Sequence, residues 1–236
     1  MDEERAKAWA KAKTNQQKVT AACVGKSPRS DKLAYFMAGV PGAGKTEFAK
    51  GLQGSQLGDF VVIEHDKLVE HIDGYRPENY YHFRTAGSTL VTKLFDECLR
   101  NGYSFIFDGT LSHDNGYRNI KKTLDAGFSV IVLYVHQDIE SAWKLTQDRE
   151  LVKKRAIEQG GFINTCQKIT GALQNIFTSF RDNPRFAFWI VKKNGAPGME
   201  NSQLFFHDNI DEKGGDSAAI EQILAERYNV DKIKDL

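Results

Sequence analysis

The sequence reads Gly39-Val40-Pro41-Gly42-Ala43-Gly44-Lys45-Thr46 directly after an apolar run from Leu33 to Ala38. In the pattern G-x-x-x-x-G-K-[ST], the glycines let backbone N–H groups wrap around phosphates, and the Lys neutralises their charge. A helix predicted to begin near Lys45 adds the positive end of its dipole at the same point. We therefore expect these eight residues to bind ATP, with the Thr46 hydroxyl on Mg²⁺.

Apolar runs of strand length alternate with longer segments of helical pattern. They cover residues 33–38, 59–64, 104–107 and 128–135. Gly102 and Gly127 precede the last two runs, as expected of the residue that ends a helix with a positive φ. The alternation predicts an α/β fold of the three-layer P-loop NTPase type, with a mainly parallel sheet covered by helices on both faces.

The second half of the chain continues the helical and strand patterns. Asp138 is placed to cap a helix that runs to about Gln159, where Gly160-Gly161 is predicted to stop it. Further predicted elements are a helix over 165–180, a strand over 186–192, a hairpin partner over 204–207 and a final helix over 217–228. A breaker cluster at 25–30 separates the Ala/Lys-rich start of the chain, so we expect a helical appendage over 1–30 and a P-loop domain over 31–236.

Composition excludes several classes of protein. The 236 residues include 32 Lys plus Arg and 31 Asp plus Glu, so a formal net charge of +1 argues against a general affinity for nucleic acid. The three cysteines form no C-x-x-C pattern, which disfavours a zinc site or a disulfide framework. No apolar run approaches the ~18 residues of a membrane span, and no signal peptide is visible. The sequence thus predicts a cytoplasmic globular protein without a membrane segment.

Two carboxylates follow predicted strands. Asp66 ends the second strand and Asp108 the third, with Thr110 close behind. Strand ends border the ligand crevice of a doubly wound sheet, so both carboxylates should face the phosphate loop. Phosphoryl transfer needs a base for the acceptor hydroxyl and groups that organise Mg²⁺ and the acceptor. We assign Asp66 as the base, and Asp108 with Thr110 to the acceptor, with Asp108 also on Mg²⁺; a capping or turn role is the alternative for each Asp.

The helix after the fourth strand is strongly basic. Arg149 and Arg155 stand where a kinase lid would supply cations to the transferred phosphoryl group. On an unbroken helix they lie about 120° apart, so both reach the phosphates only if the helix bends or stops between them. A solvated basic face is the alternative interpretation.

Aromatic residues cluster after Asp66. Tyr75 and the run Tyr80-Tyr81-His82-Phe83 offer rings on which a base or sugar can stack, and Arg84 is placed to meet an acceptor phosphate. Packing beneath a loop is the alternative role for these rings.

Four features in order resemble the zeta-toxin family of P-loop kinases. They are the phosphate loop at 39–46, Glu-His-Asp at 64–66, Asp-Gly-Thr at 108–110, and Arg149 with Arg155 before Gly160-Gly161. The resemblance covers roughly residues 33–190 and implies a fold like that of nucleotide and shikimate kinases. It also implies phosphorylation of UDP-N-acetylglucosamine at its 3′-hydroxyl and inhibition by an antitoxin at the ATP site. Asp66 would be the base, Lys45 and the two arginines would serve phosphates, and Asp108 and Thr110 would hold the sugar nucleotide.

Three functions remain open at this point. The first is a kinase of a sugar nucleotide or similar small acceptor, acting as a toxin. The second is a nucleoside or polynucleotide-end kinase, which would use the same residues. The third is a non-catalytic module that binds ATP. Residues 1–30 are either a built-in helix over the ATP site or a simple surface packing element.

Overall fold

The fold is that of a computed structural model that describes residues 3–24, 29–54, 60–153, 158–193, 202–211 and 214–234. The helices are α1 Glu3–Val24, α2 Lys45–Gly54, α3 His65–Glu70, α4 Tyr80–Asn101, α5 Asp114–Asp125, α6 Ile139–Lys153, α7 Gln159–Phe180 and α8 Ser217–Ala225. The strands are β1 Leu33–Ala38, β2 Val61–Glu64, β3 Phe105–Asp108, β4 Ser129–His136, β5 Phe186–Lys192, β6 Gln203–Asp208 and β7 Gly214–Gly215. Short 3₁₀ helices cover Pro77–Asn79 and Val230–Ile233.

One seven-stranded sheet organises these elements, in the order β2-β3-β1-β4-β5-β6-β7. The first five strands in this order are parallel, and β6 and β7 are antiparallel to their neighbours. The predicted α/β class, the mainly parallel sheet and the terminal hairpin partner are confirmed. β1 lies between β3 and β4 and is the middle strand of the five parallel ones, so the loop that follows it emerges between the ends of β3 and β4.

Burial explains why the central strands are continuously apolar. Five of the six residues of β1 and six of the eight of β4 are buried, because helices cover both faces of the sheet. β6 is mostly exposed or half-buried, as expected close to the edge of the sheet. Gly102 and Gly127 have φ of 71° and 83°, which confirms that they end helices before β3 and β4.

Two sequence-based boundaries are wrong. Gly160-Gly161 does not stop a helix but lies in the first turn of α7, where neither glycine has a positive φ. The buried Phe162 and Cys166 continue the apolar face of α7, and this packing outweighs the low helix propensity of glycine. β2 ends at Glu64, so Asp66 lies in the first turn of α3 rather than at the end of the strand.

Helix α1 packs mainly against α4, with further contacts to β2. Ala8, Ala12 and Val19 are buried in this packing. The helix therefore lies on the side of the sheet that carries β2 and β3. None of the helices within the described ranges combines the length and apolar character that a bilayer crossing requires.

Candidate active site

A cleft of about 560 Å³ opens at the carboxyl ends of the parallel strands. Twelve of the residues predicted from the sequence line it: Pro41, Gly42, Gly44, Lys45, Thr46, Asp66, Tyr80, Tyr81, Arg84, Asp108, Thr110 and Arg149. Arg155 lies outside the described residues. The fold thus brings residues from five separate segments of the chain to one place.

The phosphate loop is held by its own backbone and by buried side chains. The ammonium of Lys45 donates hydrogen bonds to the carbonyl oxygens of Gly39 and Val40, at 2.9 and 3.0 Å. The side chains of Val40 and Ala43 are fully buried, which anchors the loop in the core. Of the eight predicted loop residues, Gly39, Val40 and Ala43 therefore support the cleft from behind.

Gly42 brings the loop into close contact with α6. A Cβ atom at this position would lie 2.1 Å from the carbonyl oxygen of Ala142 and 2.7 Å from Oγ1 of Thr146. Gly42 also has a φ of +74°, a conformation that side chains disfavour. Only glycine fits here without moving the loop or the helix that carries Arg149.

Asp108 sits among charges of both signs. It is the register partner of Met37 in β1 and of Glu64 in β2. Burial raises the pKa of the Asp108 carboxyl, and the nearby carboxylates of Glu64 and Asp66 raise it further, whereas Lys45 and Arg149 oppose the shift. A cation beside Asp108 would relieve this cost.

The same charges shift the pKa of Lys45. Burial lowers the pKa of its ammonium, and Arg149 lowers it further, while Asp108 and Glu47 act in the opposite direction. The positive charges of Lys45 and Arg149 therefore share one region of the cleft. Two cations in this arrangement favour a polyanionic ligand.

His65 orders the acidic end of the cleft and was not singled out from the sequence. Its Nε2 lies 2.9 Å from the carbonyl oxygen of Arg84, and since a carbonyl only accepts, Nε2 carries a proton. Its Nδ1 lies 3.4 Å from the Tyr80 hydroxyl and 3.4 Å from Oδ1 of Asp66. His65 thus connects α3 to α4 beside Asp66. Its position between Glu64 and Asp66 was the only signal in the sequence.

The aromatic cluster divides into two groups. Tyr80 and Tyr81 line the cleft, and the Tyr81 side chain is 62% exposed. Phe83 is buried and packs edge to face against Tyr75, with ring centroids 5.8 Å apart. Stacking therefore remains possible only for the first pair, whereas the second pair belongs to the core.

Other lining residues were not predicted. They are Glu64 and His65 from the acidic segment, Gly109 beside Thr110, Thr146 on α6, and Glu158, Gly161 and Thr165 at the start of α7. Thr146 lies one helical turn before Arg149, so its place on the same face is readable only once the helix is known. Thr110 makes a hydroxyl contact of 2.9 Å with Ser112.

No group of three or more His, Cys, Asp or Glu within the described ranges is arranged to hold a metal ion. Thr46 and Asp108 both line the cleft, and their oxygens are the donors that Mg²⁺ prefers. Mg²⁺ typically takes its remaining ligands from water and substrate phosphates. The residues present therefore fit a Mg²⁺ that arrives with a nucleotide.

The zeta-toxin family model matches residues 18–197, about three quarters of the chain. The chain belongs to the zeta-toxin family. This zeta-toxin family member is accordingly a P-loop phosphotransferase. The resemblance inferred from four short motifs is confirmed over a wider range than those motifs span.

Solved structures share the fold of this zeta-toxin family member. A chain of the PezAT chromosomal toxin–antitoxin system of the human pathogen Streptococcus pneumoniae is 19% identical, with a TM-score of 0.61 over 98% of this chain and 91% of that one. A chain of the AvrRxo1-ORF1:ORF2 complex is 13% identical, with a TM-score of 0.65 over 95% and 73%. The same complex with ATP gives a TM-score of 0.62 at 13% identity, over 94% and 71%. No curated protein sequence matches the chain significantly.

At two positions this zeta-toxin family member departs from the pattern that the family resemblance implies. The third-strand motif begins with Asp108, one methylene shorter than the Glu of the best-known members. The position near Thr92, where those members carry a sugar-contacting Glu, lies on α4 away from the cleft, and its hydroxyl donates to the carbonyl of Ser88. Asp108 therefore brings a shorter carboxylate to the cleft, and Thr92 is not among the residues that line it.

Proposed function

We propose that this zeta-toxin family kinase transfers the γ-phosphoryl group of ATP to a hydroxyl of a small acceptor, with Asp66 as the base. The observation that carries the proposal is that Asp66 and Lys45 line one cleft, together with Asp108 and Arg149. A phosphate-binding ammonium and a solvent-accessible carboxylate on one cavity wall are the two groups that the reaction requires.

The reaction follows from the chemistry of these groups. The acceptor oxygen attacks the γ-phosphorus while its proton passes to a carboxylate oxygen of Asp66. The bond between the γ-phosphorus and the bridging oxygen breaks, and ADP leaves with the negative charge. Lys45 and Arg149 stabilise the charge on the transferred group, since both cations lie near Asp108 in the cleft.

Thr46 and Asp108 would hold Mg²⁺ through their oxygen atoms, and the ion would supply positive charge that stabilises the phosphates of ATP during transfer. The presence of Thr46 and Asp108 in one cleft supports this assignment, and a bound cation would favour the ionised form of the Asp108 carboxyl, whose pKa burial raises. Asp108 would also help Thr110 to orient the acceptor.

The acceptor we favour is a sugar nucleotide such as UDP-N-acetylglucosamine. Tyr80 and Tyr81 offer rings for stacking, and Arg84 offers a guanidinium for a phosphate, and all three line the same cleft as Arg149. Because the residues at positions 92 and 108 differ from the family pattern, the proposal includes a related sugar nucleotide as the acceptor. A nucleoside acceptor has less support, because Arg84 would lack its anionic partner.

An antitoxin protein is the partner we propose. The PezAT structure is described as part of a toxin–antitoxin system, and the AvrRxo1-ORF1 structures are complexes with ORF2. By this analogy the chain acts as a toxin in the cytoplasm, and its partner blocks the ATP site. Residues 31–236 would form the kinase domain, with α1 as an additional element against α4.

The test uses γ-labelled ATP with UDP-N-acetylglucosamine and, in parallel, with a metabolite extract, followed by mass spectrometry of the labelled product. Lys45→Ala and Asp66→Asn should each lower turnover by roughly 10² or more, because one removes charge stabilisation and the other the base. Asp66→Asn should still bind ATP normally.

Matched controls are available on the same helices. Lys50 on α2 and Glu70 on α3 are exposed and lie outside the cleft, so Lys50→Ala and Glu70→Gln should leave turnover unchanged. Full transfer by Asp66→Asn would refute the role of this carboxylate. No labelled product from any acceptor, despite ATP binding, would instead favour the non-catalytic module.

A further inference from the structure

Lys193 lies beside the phosphate loop, directly after the end of β5. Lys193 is only 8% exposed. A Cβ atom on Gly44 would lie 3.0 Å from the Lys193 Nζ and 3.9 Å from its Cδ, so the ammonium reaches the loop itself. The backbone N–H of Lys193 donates to the carbonyl of His136 at 2.9 Å, which fixes the residue relative to β4.

The ammonium of Lys193 has no ion-pair or hydrogen-bond partner within the described ranges. The Glu47 carboxylate also approaches Gly44, 3.6 Å from the position of an added Cβ, but it forms no ion pair with the Lys193 ammonium. Lys192 behaves differently, since its Nζ lies 3.6 Å from Glu226 and its side chain is 32% exposed. The Lys193 Nζ is not among the buried polar atoms that lack a hydrogen bond, so it keeps contact with solvent beside Gly44, where an anionic ligand on the loop can pair with it.

The order of strands separates Lys193 from the acidic side of the cleft. Asp66 and Asp108 follow β2 and β3, which lie on one side of β1. Lys193 follows β5, which lies two strands away on the other side of β1. Lys45 and Arg149 act near Asp108, at the end of the loop where transfer takes place. Lys193 therefore meets the loop from the side remote from the acceptor.

We propose that Lys193 is a nucleotide-binding residue whose ammonium contacts the α-phosphate of ATP. In this arrangement two lysines contact the triphosphate. Lys193 binds near the nucleoside, and Lys45 binds the end that reacts. Gly44 permits this approach because it has no side chain between the ammonium and the loop. The proposal rests on the proposed function only in that the loop binds ATP.

Calorimetric titrations of the full chain with ATP, ADP, AMP and adenosine, without Mg²⁺ and without acceptor, test the proposal. Lys193→Met keeps the length of the side chain and removes the charge. We expect it to weaken binding of all three phosphorylated ligands by about 10- to 100-fold, as loss of a charge-assisted hydrogen bond does, and to leave adenosine binding unchanged. The matched control is Lys192→Met, which should bind every ligand as the wild type does.

Three results would overturn the assignment. Unchanged binding of the phosphorylated ligands would remove Lys193 from the site. Equal weakening of adenosine would indicate a structural role, and an effect confined to ATP would place the ammonium at the γ-phosphate. Thermal unfolding without nucleotide checks the fold, and Lys193→Gln replaces Lys193→Met if the latter is unstable.

Failure of this proposal is distinguishable from failure of the proposed function. The titrations need no acceptor and no transfer, so they report on Lys193 even if the acceptor is misidentified. Conversely, loss of transfer in Asp66→Asn tests the chemistry while Lys193 is intact.

Discussion

The two sides of β1 are built in different ways. Towards β4, the loop is fixed by buried residues and by its own carbonyls, as the hydrogen bonds of Lys45 to Gly39 and Val40 illustrate. Towards β2 and β3, the cleft is lined by accessible side chains such as Tyr81, which is 62% exposed. The difference suggests that the fold itself specifies phosphate binding, whereas side chains that are replaceable without unfolding select the acceptor.

Among these variants, Gly42→Ala should have the largest effect, because it disturbs the loop that is proposed to bind ATP. The added methyl group would meet the Ala142 carbonyl at 2.1 Å, and the φ of +74° adds backbone strain. Overpacking of this kind costs about 1–3 kcal/mol, and the loop must move to relieve it. We expect a lower melting temperature and an ATP affinity reduced by roughly 10² or more, measured by thermal unfolding and by titration.

Gly51→Ala is the matched control on the following helix. No atom lies within 4 Å of the added Cβ, and alanine stabilises a helix by about 0.5–1 kcal/mol relative to glycine. This variant should bind ATP normally and unfold at a slightly higher temperature. Equal behaviour of the two variants would contradict the close packing described for Gly42.

Asp108→Asn should separate the two contributions of this residue, because we expect stability to rise and activity to fall. The folded-state pKa of Asp108 is raised, so its ionised form costs stability at pH values above that pKa, and the cost disappears below the unfolded value. The neutral amide should therefore raise the melting temperature at neutral pH. Turnover should fall by about 10- to 100-fold through loss of the acceptor and Mg²⁺ contacts.

The pH dependence supplies the control for this variant. As the pH falls to about 4, near the ordinary value for Asp, the wild-type carboxyl becomes protonated and the difference in melting temperature should shrink. A difference that is constant with pH would mean that the effect arises from packing rather than from the charge of Asp108.

Tyr81→Ala tests the acceptor side and should have the smallest effect. Loss of a stacking ring should raise the KM for the acceptor about tenfold, while the KM for ATP and the melting temperature stay nearly unchanged. Tyr81→Phe should retain the wild-type KM. Trp9→Ala removes another exposed aromatic ring that lies outside the cleft, so it should change neither constant.

Local patterns account for what the sequence predicted correctly. The phosphate loop, the helix ends at Gly102 and Gly127, and the cap formed by the Asp138 side chain, which accepts from the Ser141 N–H at 2.9 Å, all depend on neighbouring residues. The roles assigned to Asp66 and Arg149 are predictions of the same kind, and they gain support from the cleft that both residues line.

The features that could not be predicted from the sequence depend on contacts between residues far apart in the chain. The position of α1 depends on a face of α4, which begins 77 residues after the start of α1 (Glu3 to Tyr80), and the sequence of α1 does not identify that face. Gly160-Gly161 resembles a helix stop locally, but the buried Phe162 keeps this segment helical. Lys193 follows another lysine at a strand end and therefore resembles a solvated charge until the strand order brings it to Gly44.

The contact between Gly42 and Ala142 also sets a limit on how the cleft can close. Because the loop backbone already touches α6, this helix cannot advance further towards the phosphates without a collision. Thr146 donates to the same carbonyl at 2.8 Å, so the contact point is also held by a hydrogen bond within α6. The helix thus keeps its distance from the loop at this point, and of the described α6 residues that line the cleft, Thr146 and Arg149, only Arg149 has a side chain long enough to extend across it.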